Sequence, residues 1–157
     1  MSEFHEGGCV CGAVRYRVNR DPQTAYVCHC TFCQRRTGSA FAVIVWFEEE
    51  NVELMGNGPT IYEHRVDENN RWFRLHFCNR CGTTVMATVE RRPSRRLIMV
   101  GTLDDPNWVK LDRHIWTRSA QHWMVYPQDT KRFEKSAGIG KALSSEGKSV
   151  PSGLTRR

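Results

Sequence analysis

The seven cysteines of this chain constrain its fold more than any other feature, because they fall into three clusters with metal-ligand spacing. Cys9 and Cys11 form a C-x-C, and Cys78 and Cys81 form a C-x-x-C. Between them lies a dense C-x-C-x-x-C of Cys28, Cys30 and Cys33. The two pairs together supply four thiolates, enough to close a tetrahedral zinc site. The triplet supplies three and leaves one coordination position open. A closed site holds a fold together, whereas an open one binds and polarises a substrate atom. The expectation is one structural zinc on Cys9, Cys11, Cys78 and Cys81, and one catalytic zinc on Cys28, Cys30 and Cys33.

Metal is favoured over disulfides. An odd count excludes full pairing within one chain. The opening residues carry no apolar signal segment, and no apolar run reaches the length of a membrane span. A cytoplasmic, reduced protein is expected, in which closely spaced cysteines bind metal or do redox work. Glycines accompany both pairs, in Gly8-Cys9-Val10-Cys11-Gly12 and Cys78-Asn79-Arg80-Cys81-Gly82. They permit the tight turn by which a metal knuckle aims backbone N–H groups at sulfur. A redox C-x-x-C would call for a βαβ context, which is missing. For the triplet, a loop-holding zinc or three metal-free thiols remain alternatives to a catalytic metal. His29 lies between two of its cysteines and reads as a pocket residue rather than a ligand.

At 157 residues the chain is sized for one domain, placed at 1–135. From Ser136 onward it is rich in Ser, Gly, Ala and Lys and holds no aromatic residue, so 136–157 is expected to be a flexible, solvated tail. Lys141, Lys148, Arg156 and Arg157 against Glu146 place half of the net charge of +6 in that tail. The remainder is mildly basic, which argues against nucleic acid. Arg91, Arg92, Arg95 and Arg96 around Pro93 are the best sign of such binding, and a solvated hairpin tip explains them equally well.

The periodicity is that of strands. Alternation over 13–18, 60–66 and 71–77, a continuous apolar run over 40–47, and further candidates at 52–55, 83–90 and 96–101 describe a mainly β domain with several hairpins. A turn is expected at Arg92-Pro93-Ser94. Short helical turns are expected at 31–37 and after Pro106. Trp116 and Trp123 are expected in the core. No Gly-rich phosphate loop is present.

Five segments carry a family resemblance. Gly7-Gly8-Cys9-Val10-Cys11-Gly12-Ala13-Val14-Arg15-Tyr16, Cys28-His29-Cys30-Thr31-Phe32-Cys33-Gln34-Arg35-Arg36-Thr37-Gly38-Ser39 and Phe77-Cys78-Asn79-Arg80-Cys81-Gly82-Thr83 hold the cysteines. Gly101-Thr102-Leu103-Asp104-Asp105-Pro106 and His114-Ile115-Trp116-Thr117-Arg118-Ser119-Ala120 complete the set. Together they resemble the glutathione-dependent formaldehyde-activating family over about Gly7 to Glu134. The resemblance implies a β-tent of antiparallel sheets pinned by zinc on Cys9, Cys11, Cys78 and Cys81. It implies a catalytic zinc on Cys28, Cys30 and Cys33, and a carbon–sulfur lyase-type activity on S-(hydroxymethyl)glutathione, with glutathione and formaldehyde as partners.

Within that reading His29, His114 and Trp116 are candidate donors to a developing alkoxide. Arg35, Arg36 and Arg118, with Trp116, are candidate substrate-binding residues, since glutathione carries two carboxylates. A zinc-stabilised binding module without catalysis is the alternative.

Overall fold

In the computed structural model, which describes residues 4–19, 22, 24–66, 70–136 and 142–143, the alternation read from the sequence resolves into two sheets. The smaller has the order β1 (Phe4–Gly8), β2 (Val14–Asn19), β5 (Val52–Gly56), all antiparallel. Val14, Tyr16 and Val18 of β2 are buried on one face, while Arg15 and Arg17 emerge on the other. Among the described residues the larger sheet has nine strands. They run β12 (Ala142–Leu143), β11 (Lys131–Phe133), β10 (Arg113–Ile115), β3 (Thr24–Cys28), β4 (Ala42–Glu48), β9 (Arg92–Met99), β8 (Thr84–Val89), β7 (Arg71–Phe77), β6 (Thr60–Val66). Its pairs are antiparallel except β3–β10 and β10–β11, which are parallel.

The fold is mainly β, as the sequence indicates. The continuous apolar run of β4 has a physical reason, because this strand is covered on both faces. Val45 and Phe47 face the small sheet and join Tyr16, Val18, Met86 and Ile98 in one core. Ala42 and Ile44 face the other way, into a second core with Tyr26, Cys28, Cys33, Leu97 and Met99. Each fully buried side chain of this size contributes roughly 1.5–3 kcal/mol. The second core surrounds the cysteine triplet.

One contact of the small sheet, with the turn over Val100–Thr102 that follows β9, is unusually close. A Cβ built on Gly7 would lie 2.4 Å from the Thr102 carbonyl oxygen and 2.4 Å from the Tyr16 hydroxyl. That hydroxyl is hydrogen-bonded to Thr102 Oγ1 at 2.7 Å. Gly7→Ala is therefore expected to destabilise the fold by about 1–3 kcal/mol. Thermal unfolding would show the loss; an unchanged midpoint would mean that sheet and turn do not meet this closely.

Several expectations need revision. β9 begins at Arg92 and runs through Pro93, so the turn is Glu90–Arg91 rather than 92–94. Proline is tolerated because β4 pairs with β9 only from Arg95 onward, and no ladder hydrogen bond is needed from Pro93. The segment after Pro106 is a turn closed by Val109 N–H on the Pro106 carbonyl, not a helix. Trp123 is 58% exposed rather than in the core. The helix over 31–37 is present as α1 (Thr31–Thr37). Most of the expected tail lies outside the described residues. No helix among the described residues is long and apolar enough to cross a membrane.

Candidate metal centres

The turn between β1 and β2 carries Cys9 and Cys11, and the turn between β7 and β8 carries Cys78 and Cys81. The two turns are built alike. Cys9 N–H donates to Val14 O at 2.9 Å, and Cys78 N–H donates to Thr83 O at 2.9 Å. Gly12 (φ 75°) and Gly82 (φ 77°) close them in the left-handed region, which side-chain-bearing residues rarely adopt. The hairpins belong to different sheets, so a metal bridging them ties the two sheets together.

All four sulfurs lie within 4.8 Å of one another. Cys9 Sγ is 3.6 Å from Cys11 Sγ, and Cys11 Sγ is 3.7 Å from Cys78 Sγ. Tetrahedral zinc with bonds of about 2.3 Å requires S···S separations of about 3.8 Å, so the donor set and its spacing fit the metal. Val14 N–H points at Cys9 Sγ at 3.3 Å, the type of donor that supports a thiolate ligand. The Thr83 hydroxyl and backbone hold the Cys81 thiol down to about 5. Cys9 and Cys78 are buried, while Cys11 and Cys81 are exposed.

The triplet is assembled differently. Cys28 ends β3, Cys30 caps α1, and Cys33 is the buried residue of its first turn. Their sulfurs also converge within 4.8 Å, with Cys28 and Cys30 at 3.5 Å. The Cys30 sulfur accepts the Cys33 N–H at 3.3 Å. Hydrogen bonds from the Cys28 and Cys33 thiols, then from the Cys33 amide, with the nearby Arg36 charge, pull Cys30 down to about 3 despite burial. Cys28 is pushed well above the usual thiol range, first by Cys30 and Cys33 and then by burial. The triplet thus favours the thiolate at Cys30, and a bound metal would displace the protons of the other two thiols into solvent.

The two arginines of α1 separate. Arg35 is exposed. Arg36 turns inward, one helical turn beyond Cys33, with Nη2 3.7 Å from the Cys33 sulfur. Three thiolates around a divalent ion leave one excess negative charge, and this guanidinium is placed to offset it.

His29 is fully buried, and its Nε2 lies 2.9 Å from His114 Nδ1. Burial, and then the charge of His114, hold His29 down to about 4 against the opposing effect of Cys30, which favours the neutral ring at pH 7. Its ring nitrogens do not join the triplet cluster, and the ring pairs with His114, flanked by Phe41 and Tyr126. Trp116 packs against the second core and adopts φ 58°, a left-handed conformation rare for a bulky residue. Arg118 lies 4.9 Å over the Trp116 ring.

Residues that the sequence did not single out hold this arrangement. Gln34 Nε2 donates to the carbonyls of His29, at 2.7 Å, and Ser119, at 2.8 Å. Ser119 Oγ also donates to His29 O, at 3.0 Å. Gln34 and Ser119 are polar residues inside motifs dominated by cysteine and tryptophan, and only the fold brings them together. Asp104 has a structural partner, forming a two-pronged ion pair with Arg15 across the sheets.

Comparison with known proteins agrees with these cysteine motifs. Residues 4–119 match the family described as glutathione-dependent formaldehyde-activating enzyme. The chain belongs to this family. A Halomonas elongata protein carrying the name "putative glutathione-dependent formaldehyde-activating enzyme" is 31% identical over 91 residues. That match covers 56% of this chain and 58% of the relative, so the chain spans little more than half of the relative's length. In shape, a crystal structure of a Rhodobacter sphaeroides protein is similar at a TM-score of 0.50 and 21% identity. The similarity covers 67% of this chain and 90% of that one, and it supports the fold alone.

Proposed function

We propose that this member of the family is a zinc-dependent carbon–sulfur lyase-type enzyme acting on S-(hydroxymethyl)glutathione. The observation that carries the reading is the triplet: three sulfurs converge, and no fourth cysteine, histidine or carboxylate joins them among the described residues. Zinc bound there would supply a thiol-deprotonating Lewis acid with one position not taken by the chain. A second, closed zinc on Cys9, Cys11, Cys78 and Cys81 would be structural. In the forming direction the glutathione sulfur bonds to the formaldehyde carbon, the carbonyl π bond breaks, and the thiol proton ends on oxygen.

The chain's own residues have separate parts. Cys28, Cys30 and Cys33 hold the metal. Arg36 offsets their charge. The His29–His114 pair and the Gln34–Ser119 bonds hold the cysteine loop in place, which makes them positioning residues. Arg35 and Arg118 are exposed at the surface, and guanidinium groups bind carboxylates such as those of a peptide thiol. The nucleic-acid alternative loses support, because Arg95 pairs with Glu48 and Arg96 with Glu49, which neutralises half of that patch.

The test is exchange NMR on ¹³C-formaldehyde and glutathione. The expected result is interconversion with S-(hydroxymethyl)glutathione faster than the spontaneous reaction and proportional to zinc-loaded protein. A rate equal to the protein-free background at all protein concentrations would reject catalysis and favour a binding module.

A further inference from the structure

Arg36 touches the triplet on one side and lines a cleft on the other. The cleft, of about 440 Å³, lies between the end of α1 and the knuckle that follows β7. Its size falls within the roughly 300–1,000 Å³ of small-molecule sites. Among its lining residues Arg36 is the sole cation, and none is acidic. Ser39 and Thr84 line it too, and neither hydroxyl has a hydrogen-bond partner among the described residues. Met99 and Ala42 belong both to this lining and to the core around Cys28 and Cys33. An occupant would therefore sit one side chain away from the triplet.

The Arg36 guanidinium is poorly provided for. Nη1 donates to the Met99 sulfur at 3.2 Å, Nη2 points at the Cys33 sulfur, and Nε is buried with no partner. No carboxylate of the described residues forms an ion pair with it. A guanidinium presents five donors in one plane, and sulfur is a weak acceptor. Each Nη keeps a second N–H beyond its sulfur contact, and the acceptor that matches this pair is a planar carboxylate, held by two parallel hydrogen bonds.

We infer that this cleft is a substrate subsite, in which a carboxylate of the thiol substrate docks on Arg36 beside the Ser39 and Thr84 hydroxyls. The identity of the ligand rests on the function proposed above; the presence of an anion subsite rests on the cleft and on Arg36. Arg36 then has two tasks, facing thiolate on one side and carboxylate on the other, which makes it a specificity-determining residue.

Titration calorimetry on the zinc-loaded protein tests this with S-methylglutathione, whose capped sulfur cannot act as a thiolate. Saturable one-to-one binding is expected, at least tenfold tighter than that of its carboxyl diester. Arg36→Met should weaken binding at least tenfold. Gly101→Leu tests the opposite wall, where an added Cβ meets no atom within 4 Å, so this variant can fill the cleft without a clash at its base. It should weaken binding to a similar degree while unfolding at the wild-type temperature, and it answers the question even where Arg36→Met fails to fold. Absence of saturable binding, equal affinity for the diester, or unchanged affinity in Gly101→Leu would overturn the subsite. Displacement by equimolar inorganic phosphate would also overturn it, because the cleft would then hold any small anion. Running the exchange assay on the same samples separates the two claims. Exchange without S-methylglutathione binding removes the subsite and leaves the function; binding without exchange does the reverse.

Discussion

Replacing Cys28, Cys30 and Cys33 together by serine is expected to abolish catalysed exchange while leaving a folded protein. The three sulfurs hold the proposed reactive metal, and serine hydroxyls at neutral pH are far poorer zinc ligands than thiolates. Removing all three donors therefore takes away the whole catalysed rate rather than a fraction of it. The fold should survive because the triplet lies in the second core, on the face of the large sheet turned away from the small one. The four-cysteine cluster and the core between the sheets are untouched. Some loss of stability is expected from placing hydroxyls at buried positions, on the order of 1–3 kcal/mol for each that finds no partner. Circular dichroism with a cooperative melt, beside the exchange assay, reads both effects. A folded triple variant that retains the wild-type rate would remove the triplet from the chemistry.

The second large effect is expected at the other cluster. Cys78→Ser should leave no cooperatively folded protein. Metal binding to a four-sulfur site contributes on the order of 10–16 kcal/mol to folding, whereas a domain of this size has a net stability of about 5–15 kcal/mol. Losing a buried thiolate ligand from this cluster can thus cancel the whole margin. Cys78 and Cys9 come from hairpins of different sheets, and a metal held by this cluster would join those hairpin ends, which otherwise share the hydrogen bond from Val10 N–H to Thr83 Oγ1. A Cys78→Ser protein that melts like the wild type would show that hydrogen bonds such as Tyr16–Thr102 and packing around Phe47 hold the sheets together without metal.

The hairpin over 60–66 and 71–77 was legible from its polar–apolar alternation, although no residue of β6 is buried, and the helix over 31–37 lies between two strands in the expected place. Both cysteine groupings were legible from spacing alone. β1, β3, β10 and β11 were not singled out. Each has three to five residues, too few for a period to register, and their pairing is decided by partners far along the chain. β3 is masked further because Cys28 at its end reads as the start of a motif. The parallel placement of β10 beside β3 is a tertiary fact, and it is what carries His114 to His29. The different fates of Arg35 and Arg36 depend on helix phase. Adjacent positions on a helix point about 100° apart, so one faces solvent and its neighbour faces Cys33. Gln34 and Ser119 carry no signal of their own, since their role exists only once two distant loops meet over the His29 carbonyl.

Two separable metal sites on one chain, one closed and one open, are expected of these cysteine clusters. Elemental analysis of metal per chain, on the wild type and on the Cys28→Ser/Cys30→Ser/Cys33→Ser variant, tests this expectation most directly. Two zinc ions per wild-type chain and one per chain in the folded variant are expected. One zinc ion in both proteins would contradict it, because the triplet would then be a set of thiols without a metal.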